Sequence, residues 1–237
     1  MFTTRVVRVV FSLSSALWIG LSPAILSQAA EKQPEAIRWK FSSFLTKAHF
    51  LTPLFENYLA ELSKASGGRV VIDMYHSAVL GTVAEHFDLI KEGIAQMGTV
   101  CAGYNPDRFQ LSLFTTLPFS SDDAETATKI NLELIKKNLI NEEWKDLKLC
   151  CPSVTSPFEI QSNKKLSIAE DFKGLRIAPG GGVLAMIWDA LGAKGMNIPL
   201  HGGEGYLALE RGTIDATALN WSGASSLKFQ EVTKYGY

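Results

Sequence analysis

The chain alternates between short apolar runs and amphipathic stretches, and that alternation sets its architecture. Residues 37–41 read as a first strand. Thr52-Pro53 then opens a helix, with Thr52 placed to cap it and Pro53 suited to its first turn. Leu54, Tyr58, Leu59 and Leu62 fall on one face at helical spacing, and Gly67-Gly68 stops it. Residues 70–75 form a second strand. Leu80-Gly81 marks a turn, 83–91 a helix ended by Gly93, and 97–102 a third strand. A long helix starts at Asp122-Asp123 and runs to about Leu139, its acids at the positive end of the dipole. Strands at 147–152 and 159–162 follow. Ser167 with Glu170 has capping-box spacing for a short helix. Next come a strand at 175–178, a helix at 183–191, a short strand at 195–198, a helix at 204–210 stopped by Gly212, and a strand at 214–219. This is an α/β chain with largely parallel sheets, in two lobes meeting near Cys150.

The first thirty residues follow a different pattern. Arg5 and Arg8 form a basic start, residues 9–21 are apolar or small, Pro23 breaks the run, and Ser27-Gln28-Ala29 offers small residues to a signal peptidase. Residues 1–29 read as a secretory signal peptide, with lobe I at 30–150 and lobe II at 151–237. A membrane anchor needs about 20 apolar residues, and this run is shorter and carries several serines. Export would place the protein in the periplasm.

The 237 residues carry 23 Lys+Arg and 24 Asp+Glu. Without Arg5 and Arg8, 21 basic residues face 24 acidic ones, a net charge of -3. That balance gives no clustered basic surface for nucleic acid. Cys101, Cys150 and Cys151 lie in apolar runs and read as buried thiols. The cysteines and the four scattered histidines have no metal-ligand spacing, so neither a metal nor a cofactor is expected. No GxSxG elbow or marked triad appears, and the paired acids suit solvated helix ends, so no catalytic residue is assigned.

Strand ends carry the candidate binding groups. Arg176 lies in an apolar strand, read here as its carboxyl end, where a guanidinium can clamp a carboxylate or reach out to solvent. Asn220-Trp221 ends another strand and offers a polar fork beside a flat wall; Trp221 serves equally as ordinary core. Ser43 and Phe44 follow the first strand, and Cys101 to Tyr104 follow the third. Gly203-Glu204-Gly205 fits a dinucleotide pattern but lacks the later acidic residue, and reads as a loop and helix start.

Several segments resemble one family. Ser66-Gly67-Gly68-Arg69-Val70 and Tyr75 to Gly81 resemble its "YxxxxLG" region. Leu117-Pro118-Phe119 is similar to its LPF turn, and Asp171 to Ile177 to its "DLKGLKIR" strand. Ala190 to Ala193, Glu204 to Asp215 and Glu231 to Tyr235 resemble its "ALGA", "ExYxALQRGTVDG" and "EVxKY" segments. The family is that of the solute-binding proteins of TRAP transporters, the DctP family. The resemblance implies a two-lobed periplasmic receptor that binds a small organic acid and delivers it to the permease subunits of an ion-driven transporter, without chemistry. Ala178 stands where the family pattern has its arginine, and Arg176 falls on the family's lysine. Family members are longer, so the fold is expected to be incomplete at the C-terminus. Two other readings stand beside it: a non-functional truncated fragment, and a secreted hydrolase with an unrecognised Ser/His site.

Overall fold

The computed structural model describes residues 35–117, 120–201 and 203–237. The expected signal peptide and Pro118-Phe119 of the LPF turn lie outside the described residues. The elements run β1 (Ile37–Ser42), α1 (Thr52–Ala65), β2 (Val70–Tyr75), α2 (His86–Lys91), β3 (Met97–Gly98), α3 (Ala124–Lys136), β4 (Glu159–Ser162), β5 (Arg176–Ala178), α4 (Gly182–Ala190), β6 (Lys194–Gly195), α5 (Glu204–Glu210), β7 (Ala216–Leu219), α6 (Trp221–Ser226) and β8 (Tyr235–Gly236).

These strands build two sheets. The first has the order β2-β1-β3 and is parallel throughout. The second has the order β6-β5-β7-β4-β8; β5 runs parallel to β6 and β7, while β4 is antiparallel to β7 and β8. Alternation along a strand sends successive side chains to opposite faces. Ile177, Ala216 and Ala218 accordingly pack with Leu175 and Trp188, whereas Ala178 and Leu219 pack with Leu209, Ile214 and Phe229. A smaller cluster, Phe87 with Phe109 and Leu113, lies beside the first sheet.

Local capping differs from the sequence reading in two places. Leu51 stands at the N-cap of α1, and the Thr52 hydroxyl instead donates to the Thr46 carbonyl at 2.8 Å. On that helix Leu59 is buried, but Leu54 is 62 % exposed. Before β5 it is Asp171, rather than Glu170, that turns back, accepting from the Ser167 and Ile168 amides. Asp123 caps α3 as its position suggests, accepting from the Thr126 amide at 2.8 Å.

The expected strand at 147–152 does not form. Leu147 packs against the Phe87–Phe109 cluster, and Pro152 has no amide to donate to a ladder. The chain bends at Cys150 and Cys151, and both thiols are exposed rather than buried. The third strand is likewise shorter than expected: its pairing with β1 ends where β1 ends, at Ser42 opposite Gly98, and a 3-10 turn follows at Ala102–Tyr104.

Candidate functional site

In a parallel α/β sheet, ligands bind beyond the carboxyl ends of the strands, where loops and helix starts are free to meet them. The ends of β1, β3, β5 and β7 therefore decide which sequence candidates can act together.

Arg176 is the first residue of β5, so it lies at the amino end of that strand and not at the carboxyl end. Its guanidinium donates to both oxygens of Asp215, at 3.0 and 2.7 Å, and its own amide donates to the same carboxylate at 3.0 Å. Lys164 adds a third cationic contact at 3.1 Å. The Asp215 side chain is 8 % exposed, and the Arg176 hydrogen bonds hold its carboxyl well below the usual carboxylate range. Parallel pairing of β5 with β7 places Asp215, just before β7, beside Arg176. The arginine thus neutralises a buried acid of its own chain at the end of the sheet away from the candidate site.

At the carboxyl ends a different group assembles. Ser43 is buried after β1; its hydroxyl accepts from the Leu45 amide at 3.1 Å, and its backbone bonds Tyr75 and Ala78. This anchoring presents the next residue, Phe44, whose ring lies 5.1 Å from that of His201 and 5.8 Å from that of His86. After β3, Cys101 leads into the 3-10 turn, and burial pushes its thiol up. Tyr104 ends that turn, with its hydroxyl 3.4 Å from Nε2 of His201. Burial raises the Tyr104 phenol above its ordinary range. His201 is pushed down to about 4, first by burial and then by the nearby His49. The imidazole at this meeting point is therefore neutral at pH 7.

Close backbone approach brings the turn after β5 to the same place. A Cβ on Gly181 would stand 3.3 Å from the Gly103 carbonyl oxygen, and one on Gly182 would stand 2.9 Å from the Pro106 ring. The glycines after β5 thus let the start of α4 press against the turn after β3. Val183 follows them into the Phe87–Phe109 cluster. A groove of about 690 Å³ opens beside His201, with Thr46 and Ser77 from loops after β1 and β2 on one side and Tyr206 and Lys228 on the other. That volume falls in the range of small-molecule sites.

The remaining sequence candidates separate. Asn220 is buried, and its side-chain oxygen caps α6 by accepting from the Gly223 amide at 2.8 Å. Trp221 is 53 % exposed and lies against Gly236, lining a second cavity of about 430 Å³ with Gln161 and Tyr235. The structure therefore joins Phe44 and Tyr104, with Ser43 and Cys101 behind them, and leaves Arg176 and Trp221 elsewhere. It adds His201, His49 and His86, whose scattered positions carry no recognisable spacing. The glycine-rich loop around His201 was the one available sequence signal.

The structure also brings a serine to a histidine. Ser42 Oγ lies 3.3 Å from His86 Nε2. Both side chains are buried, and the other ring nitrogen meets the Thr99 carbonyl at 2.8 Å, not a carboxylate. A nucleophile needs an approach for its substrate and an orienting partner for its base; this pair instead ties β1 to α2.

The model of the family "Bacterial extracellular solute-binding protein, family 7" (DctP) matches residues 41–237. A solute-binding protein of Albidiferax ferrireducens is 24 % identical over 200 residues, covering 80 % of this chain and 56 % of the relative. A TRAP solute-binding protein from Rhodoferax ferrireducens, solved with copurified benzoate, is 27 % identical with a TM-score of 0.75, covering 85 % of this chain and 62 % of that one. Another, from Bordetella bronchiseptica with bound mandelate, is 28 % identical with a TM-score of 0.73, covering 84 % and 64 %. The chain thus spans less than two thirds of the length of these relatives.

Proposed function

Since the chain belongs to the DctP family of bacterial extracellular solute-binding proteins, we propose that it is the receptor component of a TRAP-type secondary transporter. It binds a small organic acid outside the cytoplasm and hands it to the membrane permease, with no chemistry on the ligand. The fold has two lobes, divided near Cys150-Cys151, and the ligand sits where they meet. The N-terminal segment directs export to the periplasm.

One observation carries the placement of the site: Phe44, Tyr104 and His201 converge from loops of both sheets at the carboxyl ends of the parallel strands. Together they form an aromatic wall with a phenol hydroxyl and a neutral imidazole as hydrogen-bonding groups. Such a wall suits a flat, ring-bearing acid, and two solved relatives hold benzoate and mandelate. A second reading, a neutral ring-bearing ligand, is favoured by the engagement of Arg176 with Asp215.

Isothermal titration calorimetry with benzoate, mandelate and the neutral benzamide tests both readings. The acid reading expects saturable one-site binding of at least one acid and none of benzamide. Binding of benzamide alone supports the neutral reading. No binding of any of them counts against the proposed site.

A further inference from the structure

The second cavity, of about 430 Å³, lies apart from the aromatic wall, between α6 and the β4–β8 edge of the second sheet. Gln161 of β4 stands opposite Gly236 of β8 and lines the cavity together with Ala224 of α6. It is 2 % exposed, and its amide is held at one end only. Nε2 donates to the Leu219 carbonyl at 3.0 Å, while the buried Oε1 has no hydrogen-bond partner among the described residues. A buried acceptor left without a donor costs stability and calls for an explanation. Thr233, which also lines the cavity, does not supply the donor, because its hydroxyl donates to the Phe229 carbonyl at 2.9 Å. Trp221 forms the wall. Its ring lies so close to β8 that a Cβ on Gly236 would run into it, and glycine there is what lets the indole close over the strand. The ring nevertheless remains 53 % exposed, so it packs on the strand and keeps apolar surface open beside the unmet acceptor.

We propose that this cavity is a second ligand site, for a flat aromatic ring carrying one N–H or O–H donor, of the indole or phenol class. The donor meets Gln161 Oε1, and the ring packs against Trp221 in the offset or edge-on manner that aromatic pairs favour. The volume falls within the range of small-molecule sites. The Leu219 bond fixes the amide, so an acceptor is always what the floor presents. A ligand that offers only another acceptor in that place leaves both unpaired.

Calorimetric titration of the full chain with indole and with benzofuran tests this. The two probes share a shape, but the ring oxygen of benzofuran accepts where the indole N–H donates. The expected result is saturable binding of indole that Phe44→Ala leaves in place, which separates this cavity from the aromatic wall. In the Phe44→Ala background, benzofuran should bind at least tenfold more weakly than indole, as an unmet buried acceptor requires. In the same background, Trp221→Ala should weaken indole binding at least tenfold, and Gln161→Leu should bring the two probes within about threefold of each other. Circular dichroism checks that each variant is folded, and the comparison of the two probes needs no change in the cavity itself. No binding of indole, abolition of its binding by Phe44→Ala, equal affinity for the two probes, or parent-like indole affinity in Trp221→Ala would overturn the proposal.

Discussion

At the scale of single residues, two buried ionisable groups shape the pH response, and their windows barely overlap. His201 has a folded-state value near 4, below its ordinary 6.5. Above pH 6.5 both folded and unfolded states hold it neutral, so its environment costs no stability. As the pH falls from 6.5 towards 4, the unfolded chain takes up a proton that the folded chain refuses, and stability drops by up to about 3 kcal/mol. Asp215 is displaced in the opposite sense, with its folded value depressed. The stability it contributes is present above its ordinary value near 3.8 and is lost only as the pH falls below that. Thermal melts at pH 7 and pH 4.5 therefore bracket the histidine window, in which His49, also lowered by burial, responds in the same sense, and the His201 share is read from the variant. The parent should lose stability between them, and His201→Phe should lose clearly less. Asp215→Ala should lower the melting temperature at pH 7, at a cost of about 2–3 kcal/mol, since it strips a buried carboxylate from two cations and an amide.

At the scale of elements, the turn from β5 into α4 is the most constrained. Gly180 has φ of 73°, and a Cβ there would run into the Ala218 carbonyl oxygen. Gly180→Ala should cost at least the 1–2 kcal/mol of left-handed strain, read as a lower urea midpoint. Gly182→Ala meets the Pro106 ring instead. It should spare most of the stability but push α4 off the Ala102–Tyr104 turn, and so weaken ligand binding in a titration. Much of this order was legible in the sequence: β1, β2, α1, α4 and α5 follow from apolar period, prolines and glycines. The 147–152 strand misled because an apolar run does not reveal that Leu147 is claimed by a cluster and that Pro152 cannot pair. Arg176 misled for a related reason. The apolar pattern gives the strand's residues, but Arg176 stands near the amino end of 175–178, and the pattern does not reveal that Asp215, brought alongside by the β5–β7 pairing, takes up its guanidinium. His201 was illegible because its partners, Phe44 and Tyr104, stand about a hundred positions away or more.

At the scale of the whole molecule, the described surface keeps large apolar groups exposed, among them Leu111, Phe114, Leu117 and Leu139 near α3. Exposed apolar surface of this kind favours association. Light scattering across a concentration series should show reversible self-association, suppressed by Phe114→Ser with Leu117→Ser; a concentration-independent monomer would count against it. The central claim is that the chain holds a small ring-bearing ligand where the two sheets meet, through Phe44 and not through Arg176. The most direct measurement is calorimetric titration of the parent, Phe44→Ala and Arg176→Ala with whichever of benzoate, mandelate or benzamide binds the parent. The account predicts at least a tenfold loss of affinity for Phe44→Ala and no more than a twofold change for Arg176→Ala. Loss of binding in Arg176→Ala with parent-like affinity in Phe44→Ala would contradict it.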